Sequence, residues 1–217
     1  MRMTIREEDH GDYVIKAWVC GDCNDWMNST FENTARDLLN ELRAGHRTVL
    51  SPDDQSRLGD WLTKTILMLN LWSKFDRDQY LSSGDYRRFR DRTEHPAGTR
   101  IWLGSIEDAH PAGEAAVVHA VPTLRENAVA PKSFVFPLSS SAHVFSFDHL
   151  AVLWVRDNRP EEAVRAPDDP RALIRRCTRR GLLVPIWPAA SEAVRWPPAV
   201  PFDVTTYERW SYLFAWR

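Results

Sequence analysis

Two thiols stand two residues apart in Cys20-Gly21-Asp22-Cys23. Thiolates at this spacing in a tight turn can face one Zn²⁺ ion and supply two of its four tetrahedral ligands. The chain has one further cysteine, Cys177, and no second C-x-x-C. His10, the nearest histidine, can add a third ligand if a hairpin brings it close, and a homodimer can complete the site with a second knuckle from the partner chain. Without metal, the same two side chains are small apolar groups that a core can bury. A thiol–disulfide exchange centre needs the motif at a strand–helix junction inside a βαβ pattern. The junction is present here, but two helices follow in succession, which argues against that use.

A second kind of chemistry comes from arginine. Arg87, Arg88, Arg90 and Arg92 form one run, with Tyr86 and Phe89 interleaved, and Arg175, Arg176, Arg179 and Arg180 form another. Such runs can neutralise phosphates while aromatic rings stack on bases. They can equally be solvated helix faces, the first partly paired with Asp85, Asp91 and Glu94. His143 and His149 flank a β-prone run beside Asp148, but there is no G-x-S-x-G turn to present a nucleophile. Neither G-x-x-x-x-G-K-[ST] nor G-x-G-x-x-G occurs, so nucleotide-dependent chemistry has no motif behind it.

The elements that would position these groups follow from periodicity and punctuation. Residues 1–19 read as strand, with Gly11-Asp12 a turn and Met3-Thr4-Ile5-Arg6 able to pair back as a hairpin. A first helix is expected from a cap at Asn24 or Asp25, with Met27, Phe31, Ala35, Leu38 and Leu42 on its apolar stripe, Leu39 widening it, and Gly45 as its stop. Ser51-Pro52-Asp53-Asp54 opens a second helix, with Leu58, Trp61, Leu62, Thr65, Leu69 and Trp72 on one face. The short linker predicts that the two pack as an antiparallel pair. A broken helical region runs from Asp76 to Arg92, interrupted at Ser82-Ser83-Gly84.

From Thr99 the texture becomes β-prone. Runs at Arg100–Leu103, Ala116–Val121, Ser133–Phe136, His143–Phe147 and Leu150–Val155 predict an antiparallel sheet. Residues 157–171 read as an exposed loop. A short basic helix spans Arg171 to Arg180 and ends at Gly181, and Leu182–Trp187 is a last strand. Trp196-Pro197-Pro198 is an extended turn. Asp203 can cap a final helix carrying Tyr207, Trp210 and Phe214. The fold class is therefore α+β: an N-terminal hairpin and knuckle with a helical pair (1–95), then an antiparallel β-rich region with a short C-terminal helix (96–217), in one compact unit.

Composition bounds the setting. The chain has 217 residues, 43% hydrophobic and 27% charged, which is enough to bury a core in one large domain. Ten tryptophans supply large apolar anchors. The formal charge of −2 gives no global attraction to nucleic acid or anionic membrane, so any such binding needs a local patch. An odd number of cysteines, no apolar leader at the N-terminus and no bilayer-length apolar run point to a reducing, cytoplasmic protein that is not in a membrane.

Val19-Cys20-Gly21-Asp22-Cys23-Asn24-Asp25-Trp26-Met27, followed by Glu32, resembles the second half of the zinc-knuckle segment in a bacterial group of HNH (His-Me finger) endonuclease-like proteins. Leu50-Ser51-Pro52-Asp53-Asp54-Gln55 and Trp61-Leu62-Thr63-Lys64-Thr65 resemble that group's second helix. Ile186-Trp187-Pro188 and Trp196-Pro197-Pro198 resemble its C-terminal signature. The resemblance implies action on DNA, Zn²⁺ held by Cys20 and Cys23, and Mg²⁺ or another divalent ion if the protein is catalytic. It implies His10 as general base and Asn24 as the last motif residue near a catalytic metal. Asn24 can also be simply a helix cap.

Two departures stand against a complete nuclease. The upstream C-x-x-C of the group is absent, and Glu8-Asp9-His10 is followed by Gly11 with nine residues before Cys20. The expectation is thus a DNA-acting relative, either a nuclease or a truncated form that only binds. The other expectation is a non-catalytic protein-interaction module built on the sheet half and its tryptophans.

Overall fold

The computed structural model describes residues 3–7, 13–17, 20–72, 81–108, 118–120, 140–157 and 170–212. His10, the strand expected at Ser133–Phe136, the stretch 73–80 and Phe214 lie outside the described residues. The α+β class holds, with helices and antiparallel sheets throughout.

The hairpin forms as the turn signal requires: β1 (Met3–Glu7) pairs antiparallel with β2 (Tyr13–Ala17). α1 (Gly21–Met27) then begins at Cys20, earlier than expected. The cap is neither Asn24 nor Asp25. Cys20 sits in extended backbone and its Sγ accepts the backbone N–H of Cys23 at 3.3 Å, filling the role usually given to Ser or Asp.

A π-helical segment (Asn28–Glu32) separates α1 from α2 (Asn33–Arg43). A π turn inserts one extra residue into the helix and shifts the phase of the faces beyond it. The buried stripe is Phe31, Ala35, Leu39 and Leu42, with Leu38 only partly buried. Gly45, at φ 72°, ends the helix as expected.

The linker to the next helix is more than a connector. β3 (Thr48–Leu50) pairs antiparallel with β9 (Val194–Trp196), near the other end of the chain. That makes Trp196 the end of a strand as well as the start of the proline turn. α3 (Pro52–Trp72) follows behind a capping box: Asp54 N–H donates to Ser51 Oγ at 3.1 Å and Ser51 N–H donates to Asp54 Oδ2 at 3.0 Å. Leu58, Leu62, Ile66 and Leu67 are its buried apolar residues. Trp61 and Thr65, expected on that face, are half-buried, because the buried face is turned toward Gln55, Gly59 and Thr63. α4 (Ser83–Arg92) has a second capping box, built by Ser82 and Asp85.

The sheet is five-stranded and antiparallel, in the order β5-β6-β7-β4-β8. Its strands are β4 (Thr99–Ser105), β5 (Val118–Ala120), β6 (Ser140–Phe147), β7 (Leu150–Asp157) and β8 (Val184–Trp187). β6 and β7 form a tight hairpin through Asp148, at φ 49°. α5 (Pro170–Arg179) and α6 (Val204–Tyr212) complete the chain. Asp203 caps α6 as expected, accepting Thr206 N–H at 2.8 Å.

Both faces of the sheet are covered. Leu150, Val152 and Trp154 of β7 face one cluster with Phe31, Leu42, Leu62 and Phe89, so α2, α3 and α4 lie on that side. Ala151, Leu153 and Val155 face a second cluster with Ile174, Cys177, Tyr207 and Trp210, so α5 and α6 lie on the other. This explains why β7 is apolar at six consecutive positions rather than alternating. Each fully buried aliphatic side chain there is worth about 1.5–3 kcal/mol. The end of β7 fixes one helix on each side: Arg156 reaches Asp85 of α4 at 3.6 Å, and Arg171 of α5 donates to Asp157 at 2.6 Å.

Candidate functional site

The thiol turn opens α1, and its two sulfurs are unlike. Cys20 is exposed and Cys23 partly exposed, and neither is in a disulfide. Hydrogen bonding from Cys23 holds the Cys20 thiol below its ordinary pKa. The same hydrogen bond, with burial and the neighbouring Cys20 charge, pushes Cys23 up. Asn24 is exposed, and its backbone N–H donates to Cys20 O at 3.0 Å as part of the first turn. It is a helical residue and not the cap.

Packing brings the thiol turn beside α4. Trp26 of α1 meets Phe31 edge-on at 5.1 Å, and Phe31 stacks on Phe89 of α4 at 5.4 Å with planes 17° apart. Arg90, one residue beyond Phe89, is close enough to act electrostatically on the Cys23 thiol. The motif residue Trp26 thus ties the knuckle to a helix more than sixty residues away in sequence. Arg87, Arg88 and Arg90 are exposed. Arg88 pairs with Asp85 at 2.7 Å and Arg90 with Asp91 at 2.6 Å, while Arg87 has no ion pair among the described residues. The Arg92 side chain lies outside the described residues.

The second arginine run does not join the first. α5 carries Arg175, Arg176 and Arg179, with Arg180 in the turn just after it, and α5 packs on the opposite face of the sheet from α4. The two runs cannot line one groove. Cys177, buried between Arg176 and Arg180, has its thiol pushed up by burial.

Two cysteines are half of a zinc set. Among the described residues no group of three or more His, Cys, Asp or Glu side chains converges to hold a metal ion. His10 lies outside those residues, so the described donors do not by themselves make the site. Of the remaining histidines, His143 is buried edge-on to Trp154 at 5.4 Å, and His149 Nδ1 lies 2.9 Å from Ile106 O. Both hold structure.

Glu32, which follows the knuckle in the resemblance, has a defined setting. Its Oε2 accepts the indole N–H of Trp61 at 2.7 Å and its Oε1 accepts Lys64, whose ammonium lies 5.3 Å from the Trp61 ring centroid. Burial alone would raise this carboxyl, but Lys64 and Trp61 outweigh it and hold it below the ordinary glutamate value.

Sequence reasoning missed His95. Its Nε2 lies 2.7 Å from Asp60 Oδ1 and its Nδ1 2.9 Å from Thr63 Oγ1, which also accepts the Trp154 indole N–H at 3.2 Å. The order Asp–His–Thr resembles a nucleophilic triad, but Thr63 is fully buried and already accepts from Trp154. The network joins α3, the loop after α4 and β7. A single histidine in a Pro/Gly-containing loop carried no spacing signal to reveal it. No protein-family model, no curated protein and no solved structure matches this chain.

Proposed function

We propose that the chain is a DNA-binding relative of the HNH-like proteins, gripping duplex phosphates with α4 beside the thiol turn. One observation carries this reading: the Trp26–Phe31–Phe89 stack sets the Cys20–Cys23 turn against a helix with three exposed arginines. A turn suited to metal and a cationic helix on one surface is the arrangement a phosphodiester-directed protein needs. The net charge of −2 makes the grip local and dependent on salt.

Fluorescence anisotropy with labelled duplex DNA, over a series of salt concentrations, tests it. Binding is expected at low ionic strength and weakens as salt rises, with a log–log slope of about −0.9 per phosphate engaged. Arg87→Glu with Arg90→Glu is expected to weaken binding and flatten that slope. Absence of binding at low salt, or an unchanged slope in the double variant, overturns the proposal. A supercoiled-plasmid assay with added Mg²⁺ then separates a nuclease from a protein that only binds. The alternative, a protein-interaction module, would rest on an exposed apolar patch. Among the described residues the exposed large hydrophobic side chains are Val49 and Val200, and nothing specific favours it.

A further inference from the structure

Along the π-helical segment and α2 the polar residues Asn28, Glu32, Arg36, Asn40 and Arg43 recur at three- and four-residue spacing. In sequence this is an ordinary solvated stripe. In the structure it forms one wall of a cleft of about 380 Å³. Trp61 of α3 and Phe147 of β6 form the other wall, edge-on to each other at 6.3 Å. The size falls within the range of small-molecule sites, roughly 300–1,000 Å³. The π-helical segment lies along it, contributing Asn28 and Glu32.

The charges are already sorted. Glu32 is engaged by Trp61 and Lys64, and Arg43 donates to Asp148 through Nε at 2.9 Å. Arg36 donates to the neutral amide oxygen of Asn33 at 2.8 Å, and among the described residues no carboxylate is hydrogen-bonded to it. Of the charged side chains lining the cleft, Arg36 and Arg43 stand against Glu32, which feels Arg36 as well as Lys64, and the guanidinium without a carboxylate hydrogen bond is that of Arg36. The exposed amides of Asn28 and Asn40 offer both donors and acceptors. The floor is held firmly, because Glu32 fixes the Trp61 indole and the β6–β7 turn is tied to α2 through Arg43.

We propose that this cleft binds a nucleoside monophosphate unit, with its base against Trp61 and Phe147 and its phosphate at Arg36. An apolar aromatic corner takes the flat face of a base, an amide can pair with a base edge, and a guanidinium takes a phosphate in a fork. The unit can be a free nucleotide or one nucleotide of a single strand, since both present the same base and phosphate. The site is separate from α4 and does not depend on duplex binding there.

Isothermal titration calorimetry of the full chain tests the assignment, using deoxynucleoside monophosphates, a short single-stranded oligonucleotide and inorganic phosphate. Saturable binding of the mononucleotides supports a free-nucleotide site, and saturation by the oligonucleotide alone supports a strand site. In either case Arg36→Ala weakens binding about tenfold. Asn40→Ala weakens it less, and Arg179→Glu, on the opposite face of the sheet, leaves it unchanged. Arg36 and Asn40 are both exposed, so neither change threatens the fold. The proposal is overturned by no saturable binding of either nucleotide probe, by undiminished binding in Arg36→Ala, or by inorganic phosphate binding as tightly as the nucleotides. An effect of Arg87→Glu on mononucleotide binding would place the ligand on α4 and also overturn it.

Discussion

The imidazole of His95 stacks on the indole of Trp187, with ring centroids 3.7 Å apart and planes 14° from parallel. Its other edge meets Phe89 at 5.6 Å, so the rings Trp26, Phe31, Phe89, His95 and Trp187 run as a chain from the thiol turn to β8. His95→Ala removes the stack and the hydrogen bonds of His95 to Asp60 and Thr63. A loss of about 2–4 kcal/mol is expected, read as a lower urea midpoint at unchanged m. A change under about 0.5 kcal/mol would show that the stack is incidental.

Gly59 lies inside α3, where alanine would ordinarily be favoured by about 1 kcal/mol. A Cβ there would sit 2.8 Å from Cε3 of Trp187. Gly59→Ala is therefore expected to destabilise by about 1–3 kcal/mol despite its better helix propensity. A rise in melting temperature would mean that Trp187 can step aside.

The three thiols should react in order. Cys20, exposed and with its pKa lowered, is alkylated first. Cys23 follows, and buried Cys177 reacts only on unfolding. Peptide mass spectrometry after brief iodoacetamide treatment gives the order, and early labelling of Cys23 ahead of Cys20 would contradict the cap geometry.

Asp85 is almost fully buried. Burial would raise its carboxyl, but the Ser82 backbone N–H and hydroxyl, with Arg156 and Arg88, outweigh that and hold it below the ordinary aspartate value. A depressed folded pKa contributes stability above the unfolded value of about 3.9, and loses it as pH falls through the folded value. Asp85→Asn is expected to cost about 1–3 kcal/mol at neutral pH, because the two arginines lose their partner. The gap between wild type and variant should close on acidification. Parallel stability curves down to low pH would assign the effect to packing alone.

Tyr207 makes the opposite prediction at the alkaline end. Burial pushes its phenol up to about 12, with the Ser146 hydroxyl offsetting part of the rise. A raised folded pKa contributes stability below the unfolded value of about 10, and loses it as pH climbs through the folded value. Wild type should lose up to about 3 kcal/mol across that window beyond whatever Tyr207→Phe loses. Equal alkaline losses in the two proteins would refute the assignment.

Local signals were legible in the sequence where their partners are local. Ser51 and Asp54 form their capping box three residues apart, and Asp203 caps α6 through Thr206 at the same spacing. The runs at His143–Phe147 and Leu150–Val155, read as antiparallel strands, are β6 and β7. What escaped depends on residues far apart in the chain. β3 and β9 are three residues each and pair across most of the sequence. His95 draws its partners from more than thirty residues upstream. The π turn at Asn28–Glu32 carried no signal in the sequence. Sulfur as a helix cap was overlooked because the metal-ligand spacing of Cys20 and Cys23 pointed elsewhere. Glu32 was visible only as part of the resemblance, and its hold on Trp61 required the fold.

The adjacent charges ending β7 also guard its alignment. A strand that slips by one residue turns every side chain to the other face. β7 is apolar on both faces, so hydrophobic burial barely distinguishes the correct alignment from its neighbour. Arg156 and Asp157 do distinguish them. In the slipped strand Arg156 would turn toward Arg171 and Asp157 toward Asp85, so that like charge would meet like on both sides of the sheet at once.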